Sequence, residues 1–205
     1  MHKHTLNKAS QTTDKGYERA GAILAAARAM LAEQGFAALS MRGVAQQVGC
    51  SLSTLQHYFP SKDDLMAAVL TATFDNYQAA IDARLQAAPT AAKARFLAVI
   101  DYFLDDLRTP ASSGLLLEIA ALATRDPFAA RVYDQMMTRA RRTMRKLIIE
   151  LKPGLAPDAL ELRAALVVAQ LHGMMVFLAQ GRPAHRELAT LPAAARAAML
   201  AIALD

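Results

Sequence analysis

The stretch from Ser40 to Lys62, SMRGVAQQVGCSLSTLQHYFPSK, gathers hydroxyl, amide, imidazole and cationic side chains at short intervals. Each suits a particular contact with a polyanionic duplex. Ser40, at a helix start, can offer its hydroxyl and nearby backbone N–H groups to a phosphate. Arg42 beside it can take a phosphate or pair bidentately with guanine, and Gln56 can pair with adenine in the same way. His57 can donate to a base acceptor or a phosphate. Thr54 and Tyr58 carry hydroxyls suited to the sugar–phosphate backbone. Ser51, Leu52 and Ser53 complete the surface, Leu52 reading either as core or as a contact to a thymine methyl. Other roles stand beside these: Ser40, Ser51 and Ser61 are good helix caps, and Tyr58 can equally pack. Bond-breaking chemistry has no comparable set. Cys50 and the five histidines give no nucleophile, base and orienting group in one place. No phosphate loop or His/Cys cluster occurs, so neither an enzyme, a cofactor nor a metal site is expected.

Two short helices must position these groups. Ser40 caps Met41–Val48, which buries Val44, Ala45 and Val48. Gly49-Cys50-Ser51 makes a tight turn, and Ser51 caps a second helix to about Tyr58, ended by Pro60. Ala45 and Gly49 are small where the helices approach, Cys50 fills a small core position, and Leu55 and Phe59, four apart, face inward. This is a helix-turn-helix whose second helix can enter a major groove by its N-terminal end. Before it, Ala20, Ile23, Leu24, Ala27, Met30 and Leu31 follow helical spacing from Tyr17 until Gly35 stops the helix. After it, Ser61 and Asp64 form a capping box for a helix whose apolar face is Leu65, Val69, Phe74, Tyr77, Ile81 and Leu85. Further helices are expected at 91–108, 111–123, 127–151, 157–180 and 191–203, divided by Pro110, Asp126-Pro127, Pro153-Gly154, Pro183 and Pro192. The expected fold is all-α: three short helices, then about six longer ones. Residues 1–15 read as a mobile arm, 16–76 as a helix-turn-helix domain and 77–205 as a larger helical domain.

Residues 18–66 resemble the DNA-binding domain of the TetR family of transcriptional regulators. The resemblance rests on Ile23-Leu24-x-Ala-Ala, Gly35-Phe36, Ser40-Met-Arg-x-Val-Ala45, Gly49-x-Ser51, Thr54-Leu55, Tyr58-Phe59 and Ser61-Lys62-x-x-Leu65, in that order. It covers about fifty contiguous residues, a quarter of the chain. It places Lys62 where the family meets phosphate. The chain departs from the family at Ser53, often glycine, at Gln56, often tyrosine, and at Gly43, often acidic; these alter the groove-facing surface. The resemblance implies a homodimer on a palindromic operator, closed by a four-helix bundle, and a repressor released by a small apolar or amphipathic effector. A DNA-binding structural or cell-division protein on the same fold, needing no effector, is the alternative.

The wider composition agrees. The net charge is +5. Residues 1–62 hold seven Lys and Arg against three acids, a balance of +4, and the remainder only +1. One cysteine, Cys50, precludes an internal disulfide and suits a reducing cytoplasm. Residues 1–19 lack the apolar core of a secretory signal, and the apolar run Ala164–Gln180, broken by Gln170 and His172, reads as a buried helix rather than a membrane span. One helix-turn-helix contacts few bases, so a dimer surface is needed; Leu166, Val167, Leu171, Met174, Met175 and Leu178 on one helix, with Ala195 and Met199 on the last, are its candidates. For an effector pocket the candidates are Phe74, Tyr77, Phe103, Met136, Met137, His172 and Phe177: apolar, adaptable walls with a few polar groups. Arg139, Arg141, Arg142, Arg145 and Lys146 form a basic run read as a solvated face.

Overall fold

A computed structural model describes residues 14–178 and 186–205. It contains nine α-helices: α1 Asp14–Gln34, α2 Met41–Val48, α3 Leu52–Tyr58, α4 Lys62–Ala87, α5 Ala92–Asp106, α6 Pro110–Ala123, α7 Pro127–Leu151, α8 Pro157–Leu178 and α9 Leu191–Leu204, with a 3₁₀ turn Arg186–Ala189 before the last. No strand occurs among the described residues. The expected all-helical order holds. One expectation changes. The first helix is not short: it runs 21 residues and takes in Asp14 and Lys15, which had been assigned to the arm. The stretch 157–180 is helical to Leu178, and its last two residues, with residues 1–13, lie outside the described residues.

The chain forms two compact units. One comprises residues 14–77 together with 114–132; the other comprises 78–113 and the described residues from 133 onward. The first segment of that unit ends at Tyr77, one residue past the expected 76/77 boundary, and the unit also takes in most of α6 and the start of α7. In the first unit the apolar stripe of α1 (Ala20, Ile23, Leu24, Ala27, Met30) packs with Leu39, Val44, Ala45, Leu55, Phe59, Leu65, Ala68 and Val69. The spacing of these residues at three and four explains why each short helix forms at all: seven or eight residues are too few to be stable alone, and the shared core holds them.

In the second unit α9 packs against α8 and α5. Phe96, Val99 and Ile100 of α5, Ala164, Val167 and Leu171 of α8, and Ala195, Met199 and Ala203 of α9 are buried. Polar links tie the helix surfaces: Arg196 to Asp101 at 2.6 Å, Arg95 to Glu150 at 2.8 Å, and Arg145 to Glu161. Lys152 donates to the carbonyls of Leu204 and Asp205 at 2.6 and 2.7 Å, placing a cation at the negative end of α9. By length and composition α8 is apolar enough to cross a membrane, so its length is not the argument against a span. Seven of its 22 side chains are buried within the protein.

Candidate nucleic-acid interface

The α2–turn–α3 segment is built by three local devices. Ser40, in extended conformation, accepts a bond from the N–H of Gly43 at 3.1 Å and starts α2. The approach at Gly43 is tight: a Cβ there would lie 2.9 Å from Ser40 Oγ and 3.2 Å from Met30 Cε. Gly49 then adopts a left-handed conformation, φ 71°, and closes α2 while the N–H of Cys50 returns to the carbonyl of Ala45 at 2.9 Å. Ser51 accepts from the N–H of Thr54 at 3.0 Å and starts α3, with the hydroxyls of Ser53 and Thr54 within 2.9 and 2.8 Å of its own. Capping by Ser40 and Ser51 is therefore seen directly.

Burial divides α3 into two sides. Leu55 and Phe59 are wholly inside, while Ser51, Ser53, Thr54, Gln56 and His57 are exposed and Leu52 and Tyr58 half-buried. Tyr58 packs on the core of the unit and meets the His57 ring edge-on, 5.7 Å between centroids. Arg42 is exposed on α2, near the Ser40 cap. Ser61 and Asp64 make the full reciprocal box, each backbone N–H bonded to the other's side chain at 3.1 Å. Lys62, next to it, does not point freely outward: its Nζ donates to the carbonyl of Phe36 at 3.1 Å and sits 3.9 Å above the Phe36 ring. Nine of the ten residues named for DNA contact lie on α2, α3 and their N-caps Ser40 and Ser51, and the tenth, Lys62, opens α4. No group of three or more His, Cys, Asp or Glu residues is placed to hold a metal among the described residues.

The other expected residues fall differently. Phe74 and Tyr77 belong to the first unit; Phe103, Met136, Met137, His172 and Phe177 belong to the second. Phe74 and Met136 are buried, but Phe177 is 53% exposed. His172 Nδ1 lies 2.8 Å from the carbonyl of Val168, so that nitrogen donates and Nε2 is left as an acceptor, buried and without a hydrogen-bond partner among the described residues. The Tyr133 ring meets His172 edge-on at 6.0 Å, and burial pushes the Tyr133 hydroxyl above its usual pKa. Of the dimer candidates, Val167 and Met199 are 0% exposed, and Leu171, Met174, Met175 and Ala195 are buried as well. They fill the chain's own core, Leu171, Met174, Met175 and Ala195 keeping only 4–7% of their surface exposed. The α8 surface that is available consists of Leu162 (61% exposed), Leu166 (46%), Val176 and Phe177. In the basic run Arg145 is engaged by Glu161, whereas Arg142 and Lys146 are exposed.

One residue of the first unit escaped sequence reasoning. Glu118, in α6, accepts the backbone N–H of Phe36 at 2.7 Å across 82 positions of sequence. It is the one charged residue of α6, and nothing near it in the sequence points to Phe36.

Comparison with known proteins accords with this geometry. Residues 23–69, which span the helix-turn-helix, match the family described as bacterial regulatory proteins, tetR family. Residues 92–203, more than half the chain, match the family described as BetI-type transcriptional repressor, C-terminal. The transcriptional regulator EthR of Mycolicibacterium smegmatis is 27% identical over 172 residues, covering 82% of this chain and 78% of its own. A TetR transcription regulator from Haloarcula marismortui shares the fold at a TM-score of 0.74 and 21% identity, covering 91% of this chain and 97% of its own. A regulator from Saccharomonospora viridis, solved in complex with choline, does so at 0.70 and 20%, covering 90% and 95%. The matched helix-turn-helix, its capped reading helix and the long C-terminal match together place this chain in the TetR family of bacterial transcriptional regulators.

Proposed function

We propose that this regulator is a homodimeric repressor that binds a palindromic operator through α2 and α3 and leaves it when a small apolar or amphipathic effector binds the C-terminal helices. The observation that carries the DNA contact is the two-sided α3. Leu55 and Phe59 anchor it inward, and a continuous polar surface of Ser51, Ser53, Thr54, Gln56 and His57 faces outward, with Arg42 on the preceding helix. Arg42 and Lys62 supply charge, and Lys62 must leave the Phe36 carbonyl to reach a phosphate. Gln56 and His57 are the base readers; Ser40, Ser51, Leu52, Ser53, Thr54 and Tyr58 fix the approach. Repression is favoured because the C-terminal match is to a repressor family.

The dimer surface is the outer face of α8. Leu162, Leu166, Gly173, Val176 and Phe177 fall within about 100° of the helix circumference, and a Cβ at Gly173 would meet nothing within 4 Å. An exposed apolar face of this extent calls for a partner helix, which a second copy would supply; reading two half-sites of a palindrome requires two α3 helices about 34–36 Å apart, one duplex turn. For the effector, His172 Nε2 offers a hydrogen-bond acceptor beside the Tyr133 ring. The effector acts only through a difference in its affinity for the bound and released states.

The test is selection of duplex fragments from random DNA by the purified protein, followed by gel retardation. Arg42→Ala should weaken binding about tenfold or more, equivalent to about 1–3 kcal/mol, while its circular dichroism melting curve stays as in the parent. Equal retardation by the variant removes Arg42 from the interface. A panel of apolar and amphipathic molecules, choline among them, should contain one that raises the melting temperature and weakens retardation together; stabilisation without release argues against an effector role.

A further inference from the structure

Phe36, in the turn between α1 and α2, is held at both of its peptide groups by side chains from elsewhere in the first unit. Its N–H is taken by Glu118 Oε1 at 2.7 Å, and its carbonyl by Lys62 Nζ at 3.1 Å. The same carbonyl receives the N–H of Leu39 at 3.2 Å, one residue before the Ser40 cap of α2. The turn that sets the direction of α2, and so of Ser40 and Arg42, is thus anchored to α6 by one charge-assisted bond. Close packing supports it. A Cβ at Gly114 of α6 would come 3.0 Å from the carbonyl oxygen of Ala32 in the last turn of α1. At Gly35, φ 79°, a Cβ would come 3.3 Å from Glu118 Oε1. Both glycines bring α6 against this corner. A carboxylate beside the C-terminal end of a helix opposes the helix dipole, so simple packing does not account for an acid here; the bond from the Phe36 N–H does.

We propose that Glu118 is a positioning residue for DNA binding: its carboxylate fixes the Phe36 turn, and through it the approach of α2 and Lys62 to the duplex, although Glu118 itself touches no DNA. The proposal rests on the DNA-binding reading above, and its test separates the two. Hydrogen exchange at the Phe36 amide is followed by NMR in the free full-length protein, and retardation is measured on the fragment selected by the wild type. Glu118→Ala should speed Phe36 exchange and weaken binding, each by about tenfold. Glu118→Gln, which keeps an acceptor oxygen, should restore both to within about threefold. The dependence of affinity on salt should keep the wild-type slope in both variants, since no phosphate contact is lost. Faster exchange with unchanged affinity makes Glu118 a structural prop only and overturns the proposal. So does a Gln variant no better than the Ala variant, or a reduced salt slope, which would put Glu118 in an ionic network at the DNA. Failure of the wild type to select any fragment overturns the underlying reading instead, whatever the Phe36 exchange shows.

Discussion

The outward faces of α3 and α8 differ in kind. On α3 Leu55 is fully inside, as is Phe59 at its C-cap, and every exposed residue of the helix is polar. On α8 seven side chains are inside, yet Leu162, Leu166, Val176 and Phe177 remain at the surface. A face destined for a polyanion can stay hydrated until it meets its partner, because its groups are satisfied by water. A run of exposed Leu and Phe has no such alternative, and burial of apolar area, about 25 cal/mol per Å², favours a second protein surface. The two helices therefore point to two kinds of partner.

The sharpest way to break this comparison is to remove what holds α3 two-sided. Leu55→Ala, at a side chain with no exposure, should lower unfolding free energy by about 2–5 kcal/mol in denaturant titration and abolish retardation with it. A cost near zero would mean that the reading helix is not anchored by its inner face. Next in size, Leu166→Glu places a charge in the centre of the exposed α8 face. Sedimentation should show loss of dimer equivalent to about 2 kcal/mol or more, with helix content retained; an unchanged dimer moves the interface elsewhere. Ser51→Ala removes the α3 cap and should cost about 1 kcal/mol, read as a shift in melting temperature that Ser51→Asp recovers. Smallest is Arg196→Ala on the partly exposed pair with Asp101. Solvent screening limits that pair to about 0.2–1 kcal/mol, and the loss should shrink further in high salt. A larger, salt-insensitive effect would reveal that Arg196 packs rather than pairs.

Much of the first unit was legible beforehand. Ser40, Gly49, Ser51 and the Ser61–Asp64 box are local devices, acting within four residues, and the structure shows each in place. The six-residue stripe of α1 is buried throughout, because apolar spacing at three and four has one packing solution on a single helix. The second unit was less so. Val167 and Met199 had been assigned to a partner, yet they fill the chain's own core; α8 is apolar around most of its circumference, and periodicity cannot say which side meets which neighbour. Glu118 was invisible for another reason. Its partner is 82 residues away, and no local pattern encodes that distance.

By itself the order of residues determined the apolar periodicity of the helices, the caps at Ser40, Ser51 and Ser61, and the polar face of α3, since these depend on neighbours within about one turn of helix. Tertiary structure alone decided three things: which side of α8 stays exposed, that Lys62 rests on Phe36, and that Glu118 of α6 bonds the α1–α2 turn. Each is a meeting of groups remote along the chain. Such meetings are selected by the packing of whole helices, where the close approach at Gly114 and the single carboxylate of Glu118 have effect only once α6 has docked on α1.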